Sequence, residues 1–200
     1  MSAQGPSVDR RINFAEIVSE LGLPSGIAEL QKTIYAPIAH WIRQAQQSKK
    51  ATFLLGVNGA QGSGKSTFCV AMAAYLEQAF GLTVATVSID DVYHTRQYRS
   101  ELGERIHPLC RVRGVPGTHD VNLAAQVLAH LMESAAGDTV QIPRFDKALD
   151  DREPVERWTP CGGPVDVILF EGWCVGLKSL PAWRRPYNER EARDDPDGTW

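Results

Sequence analysis

One short segment limits what this chain can become more than any other. Gly59-Ala60-Gln61-Gly62-Ser63-Gly64-Lys65-Ser66 satisfies G-x-x-x-x-G-K-[ST] at every fixed position, and Thr67 follows. Glycines let a backbone wrap an anion with successive N–H groups pointing inward, in conformations a side chain would forbid. A helix beginning at Lys65 aims its positive end at the same anion. Lys65 neutralises β- and γ-phosphates, and the Ser66 hydroxyl is a ligand for Mg²⁺. A chance match in a chain of this length is expected on the order of once in a hundred. Context lowers that further, because an apolar run precedes the motif and a helical pattern follows it. Residues 59–67 are therefore read as the site for the phosphates of a nucleotide.

The flanking pattern sets the fold class. Residues 52–57 form an apolar run of the kind found in a strand buried on both faces. A helix is expected over 65–80, closed by Gly81. Residues 83–89 are rich in β-branched side chains and read as a second strand. Asp120 suits the cap of a helix over 121–136 stopped by Gly137. Residues 140–142 make a brief strand and 165–170 a third strong one. Strands alternating with helices argue an α/β, P-loop NTPase-type parallel sheet with helices on both faces. Ahead of it, residues 12–21 suit a short helix closed by Gly22 and Pro24. From Ile27, the residues Leu30, Ile34, Ile38, Trp41 and Ile42 recur at helical spacing. Pro37 interrupts that pattern, so a kink or break is expected there, and residues 44–50 read as a polar linker. The expected organisation is an N-terminal helical extension and linker over 1–50 and a P-loop core over 51–200.

Composition removes other classes. The 200 residues carry 21 Lys and Arg against 24 Asp and Glu, a net charge of -3. No basic excess or stripe asks for nucleic acid. No apolar run approaches the roughly 20 residues of a membrane span, and the first residues lack the apolar centre of a signal peptide. Cys69, Cys110, Cys161 and Cys174 show no metal-binding spacing and read as reduced thiols in the cytoplasm. Oligomeric state leaves no trace in the sequence.

Phosphoryl transfer needs a carboxylate near the metal, and often one that accepts the acceptor hydroxyl's proton. In open α/β sheets such groups lie at the carboxyl ends of strands. Two places qualify: Asp90 and Asp91 after the second strand, and Glu171 after the third. An acidic substrate also needs a cationic partner, and Arg111, Arg113, Arg144 and Lys147 lie between these anchors. Guanidinium grips a carboxylate through two parallel hydrogen bonds. Tyr93 and Trp173 suit either a pocket wall or the core. His119 is read as a neighbour of the helix cap.

With these residues in place, the chain resembles the D-glycerate 3-kinase family, related to uridine kinases and phosphoribulokinases. The matching stretches start at Gly59 (GAQGSGKST), Ser88 (SIDDVY), His107 (HPL), Arg113 (RGVPGTHD), Ile142 (IPRFDK) and Phe170 (FEGWCVG). They span most of the chain from about residue 30, and the Arg113 and Phe170 segments are the most particular to the family. The resemblance implies ATP- and Mg²⁺-dependent phosphorylation of a hydroxyl on a small acid. It implies Asp90 as general base and metal-site carboxylate, Asp91 as its neighbour at the substrate, and Glu171 as a second metal-site acid. It favours Arg113 and Arg144 as substrate contacts, with Tyr93 beside them, and binding of the transferred phosphate is the other role open to Arg113. It also implies a longer chain, with a lid and an adenine-contacting segment after the stretch ending in Trp200. The charged, proline-containing run 184–200 accordingly reads as a core cut short. Rival expectations are a uridine, pantothenate or ribulose-phosphate kinase on the same core, or a non-catalytic nucleotide-binding regulator. A GTPase is disfavoured because no N-K-x-D element is found.

Overall fold

The computed structural model describes residues 12–115 and 117–177, so the run 184–200 lies outside the described residues. The Asn13 side chain accepts the Glu16 N–H at 3.3 Å and starts α1 (Phe14–Glu20), which buries Phe14, Ile17 and Val18. A four-residue helix, α2 (Gly26–Glu29), leads into a widened turn over Gln31–Tyr35 and then α3 (Ala36–Lys49). The break expected at Pro37 falls one turn earlier. Proline offers no N–H to the turn before it, and that turn adopts i→i−5 bonding, with the Tyr35 N–H on the Leu30 carbonyl at 3.2 Å. Pro37 itself sits in the first turn of α3, where its missing donor costs least. The expected polar linker is also corrected. Residues 44–49 complete α3, because glutamine and lysine are good helix formers, and Lys50 ends it at φ 52°.

β1 (Phe53–Asn58) feeds the glycine-rich loop and α4 (Lys65–Phe80), which spans the expected residues and ends at Gly81 with φ 64°. β2 (Val84–Ser88) runs into a single 3₁₀ turn over Ile89–Val92. A helix with no apolar periodicity follows, α5 (Arg96–Arg105). Asp120 caps α6 (Val121–Glu133) by accepting the Leu123 N–H at 3.0 Å. β3 (Thr139–Ile142), β4 (Phe145–Asp146), β5 (Asp151–Arg152) and β6 (Thr159–Gly162) make two antiparallel pairs, β3 with β6 and the hairpin β4–β5. β7 (Val167–Gly172) returns to the main sheet.

That sheet is parallel, in the order β1-β7-β2. β7 is central and almost wholly buried. β1 is not the doubly buried strand its composition suggests, since Leu54 is 39% exposed on a strand with one neighbour among the described residues. Alternation along β7 divides the core in two. Val167 and Leu169 face a cluster with Met72, Tyr75 and Leu76 of α4, Phe14 and Ile17 of α1, and Ile42 of α3. Ile168 faces the opposite cluster, with Val87 of β2, Val127 and Leu131 of α6, and Ile142 of β3. Helices therefore cover both faces, and the carboxyl ends of the three strands open at one edge.

Candidate active site

A cavity of about 630 Å³ lies at that edge. Its floor is the glycine-rich loop. Gly62 and Gly64 adopt φ of 73° and 84°, where a Cβ would be strained, and a Cβ on Gly59 would stand 2.8 Å from the Ser63 Oγ. The loop is tied by the Ser63 N–H on the Ala60 carbonyl at 3.2 Å. Lys65 Nζ donates to the same carbonyl at 2.8 Å, which holds the ammonium over the loop. Gln61, Gly62, Lys65 and Ser66 line the cavity, while Gly59, Ala60, Ser63, Gly64 and Thr67 shape the loop and the helix start.

Parallel register puts Glu171 of β7 opposite Val57 of β1 and Ser88 of β2. Its carboxylate, in a residue only 4% exposed, accepts the Ser66 hydroxyl at 2.7 Å and the Ser88 hydroxyl at 2.9 Å, both on Oε1. Ser66 and Glu171, 105 residues apart, thus meet at the start of α4. Beneath them Cys69 is fully buried, and burial, with the Glu171 charge, pushes its thiol up to about 12. That thiol is held protonated and unreactive.

The opposite wall is built from side chains of four segments. The Ser88 hydroxyl accepts the Asp90 N–H at 3.2 Å and starts the turn that carries Asp90. Asp90 Oδ2 accepts from Lys147 Nζ at 2.9 Å, across from the β4–β5 hairpin. Arg113 Nε meets Asp150 Oδ1 at 2.6 Å, and its guanidinium lies 5.1 Å from the Phe145 ring centroid. Tyr93, 4% exposed, stacks on His119 at 4.0 Å between centroids and meets Phe145 edge-on. Burial, followed by the Asp90 charge, pushes the Tyr93 phenol up. His119 Nε2 is buried with no hydrogen-bond partner among the described residues, and burial holds the imidazole below its usual range. His119 is thus a neutral stacking partner for Tyr93, as well as the residue before the α6 cap.

Two of the residues expected at the substrate are turned to each other instead. Arg144 donates to Asp91 Oδ2 at 2.9 Å and to Thr159 Oγ1 at 2.8 Å, and Asp91 Oδ1 accepts the Phe145 N–H at 3.1 Å. Neither Asp91 nor Arg144 lines the cavity. Burial raises the Asp91 carboxyl above its usual range, with Arg144 pulling the other way. The pair pins the hairpin to the turn after β2. Asp90, Glu171, Lys65, Ser66, Arg113 and Tyr93, by contrast, share one cavity. Sequence reasoning gave Lys147 and Trp173 no firm place there, and it missed Asp150 and the fully buried Arg99 behind it. The acidic run after Phe145 was the available signal for Asp150. No periodicity marks Arg99.

No protein-family model matches the chain. Comparison with curated proteins finds a chloroplastic D-glycerate 3-kinase of Arabidopsis thaliana, 35% identical over 136 residues, which are 64% of this chain and 30% of that protein. An uncharacterized kinase of Schizosaccharomyces pombe is 31% identical over 163 residues, 78% of this chain and 58% of that one. Among solved structures, a D-glycerate 3-kinase from Cryptococcus neoformans superposes with a TM-score of 0.67 at 29% identity, covering 84% of this chain and 60% of that one. The chain thus spans between 30% and 58% of the length of these curated relatives. By sequence and by fold, its relatives are P-loop kinases that include D-glycerate 3-kinase.

Proposed function

We propose that the protein acts in the transfer of the γ-phosphoryl group of ATP to a hydroxyl of a small hydroxy acid, with D-glycerate the acceptor best supported by its relatives. One observation carries the reading. The phosphate loop, a carboxylate able to accept a proton and a guanidinium able to grip an anion face one cavity, in Lys65, Asp90 and Arg113.

Each residue has a distinct task. The loop N–H groups and Lys65 bind the β- and γ-phosphates and balance charge as the bond to the leaving group loosens. Asp90 accepts the proton of the attacking hydroxyl, which enters where Lys147 now bonds. Arg113 receives the acceptor's carboxylate through a two-pronged contact. Tyr93, fixed by His119 and Phe145, walls the acceptor end.

The donor set suits Mg²⁺. Ser66, Glu171 and Asp90 offer only oxygen, and both hydroxyl contacts of Glu171 fall on Oε1, keeping Oε2 for a cation or its water. Among the described residues, no group of three or more His, Cys, Asp or Glu gathers as a metal cage. Mg²⁺ commonly takes few protein oxygens and completes its shell with phosphates and water. When bound, the ion neutralises phosphate charge. No helix of the described residues is long and apolar enough to cross a membrane.

The test is ATP consumption by the chain with D-glycerate, glycerol, uridine and pantothenate offered separately. Glycerate-dependent consumption well above the other three is expected. Preference for uridine or pantothenate would move the chain to those neighbouring activities. Nucleotide binding without turnover on any acceptor would favour a regulatory role.

A further inference from the structure

Behind the acceptor wall lies a charged group that the proposed reaction does not use. Arg99 of α5 is fully buried, the largest such side chain in the core. Its Nε donates to the His94 carbonyl at 3.1 Å, its Nη1 to the Arg111 carbonyl at 3.2 Å and its Nη2 to the Asp150 carbonyl at 2.5 Å. Nη2 also stands 3.0 Å from the Asp150 carboxylate. One guanidinium therefore ties together the segments that carry Tyr93, Arg113 and the hairpin turn. A guanidinium buried without its partners would carry a large desolvation cost, so these contacts are a condition of the local fold.

Asp150 is the shared element. Its Oδ2 faces Arg99 and its Oδ1 faces Arg113, and its backbone holds φ 54°, a region that asparagine and aspartate occupy more readily than most non-glycine residues. Charge at this end of the cavity is then simple to count. Lys147 is matched by Asp90. Arg99 and Arg113 share the single carboxylate of Asp150, which leaves one net positive charge. A guanidinium held at Nε still has two terminal nitrogens to fork onto an incoming carboxylate. A second negative charge beside Arg113 would meet no further cation at the Asp150 end of the cavity, since Lys147 lies at the Asp90 end, and would lie close to Asp150.

We infer that Asp150 is a specificity-determining residue: held by Arg99, it positions Arg113 and limits the acceptor to a single negative charge. The inference rests on the proposed acid acceptor and adds to it the residue that sets the acceptor's charge. Its general basis is that like charges brought together in a cavity repel far more than in water.

Asp150→Asn is the decisive variant. Asparagine keeps the size, tolerates the left-handed backbone, and leaves Arg99 its three backbone carbonyls and an amide oxygen as acceptors, so folding is expected to survive at lower stability, as thermal unfolding will show. Isothermal titration of wild type and variant would measure binding of D-glycerate, which carries one charge at pH 7.5, and of tartronate, a three-carbon hydroxy acid with two. Wild type should favour glycerate. In the variant the glycerate-to-tartronate affinity ratio should fall by about tenfold or more, the scale expected when one charge in a partly shielded site is removed. ATP affinity, measured alongside, should not change. An unchanged ratio with intact folding overturns this inference and leaves the acid acceptor standing. Binding of ATP but of neither acid by wild type overturns the acid acceptor, and the inference with it. A fall in ATP affinity equal to that for the acids would mark Asp150 as a structural residue only.

Discussion

The two ends of the cavity are made in different ways. The phosphate end is largely contiguous: eight residues, Gly59 to Ser66, supply backbone N–H groups, a cation and a hydroxyl, and Glu171 joins them from β7. The acceptor end has almost no backbone component. Asp90, Arg113 and the pair Lys147 and Asp150 of the hairpin turn come from three segments and satisfy one another across the gap. A backbone cradle is specified by where glycine must stand, whereas a side-chain wall is specified by which pairs meet after folding. The first tolerates change everywhere except in the loop. The second can be retuned residue by residue, which suits the acceptor-selecting role proposed for that end.

This contrast can be broken by substitution. Asp90→Asn keeps the shape but removes proton acceptance, and a fall of about 10²–10⁴ in kcat is expected with ATP affinity unchanged. Rates should be compared with Glu171→Gln. If Glu171→Gln loses the rate and Asp90→Asn does not, the proton acceptor lies at the phosphate end and the division of labour is wrong. Lys65→Ala should cut turnover by about 100-fold or more and weaken ATP with every acceptor alike, since charge-assisted contacts to phosphate are strong. Equilibrium ATP binding would detect this, and unchanged binding with unchanged turnover would remove the phosphate-loop assignment.

Arg113→Ala should act on the acceptor alone. A hydrogen-bonded ionic contact is worth about 1.5–3 kcal/mol, so KM for glycerate should rise roughly ten- to a hundredfold while KM for ATP stays constant. Arg113→Lys should not restore it, because an ammonium lacks the fork. Equal increases in both KM values would mean the two ends are not independent. The smallest effect concerns pH. Burial holds His94 and His119 below the usual imidazole range, so the unfolded chain binds protons first as pH falls. Stability is therefore full above about pH 6.5 and declines below it, down through the lowered folded values. His119→Gln should flatten that decline in thermal melts at pH 7.5 and 5.5. An unchanged slope would show that His119 is not held neutral behind Tyr93.

The same contrast explains what the sequence reveals. Boundaries of α4 are legible because Gly64 and Gly81 mark them, and β7 because its apolar run ends in an acid. α5 is not, since Arg99 occupies the buried position where periodicity looks for an aliphatic residue. Residues 44–49 mislead in the other direction, polar yet strongly helical. Adjacent carboxylates are separated only by the direction each takes from a 3₁₀ turn, so Asp90 faces Lys147 while Asp91 faces Arg144. Arg113 and Arg144 look alike as isolated cations. Only the fold decides that one meets the cavity and the other fastens the hairpin.

The sheet order has a consequence for how the molecule is made. β1 and β2 never touch as strands; each pairs with β7, so Phe53 and Val84 both wait for Val167. While the chain emerges from a ribosome, the strand leading into the glycine-rich loop has, among the described residues, no sheet neighbour until more than a hundred later residues have been added. Contacts so distant along the chain slow folding and leave strand edges open to other chains in the interval. Until β7 arrives, Ser66 also lacks its Glu171 partner. The Ser66–Glu171 contact of the proposed nucleotide site and the pairing of β1 and β2 therefore await one and the same strand.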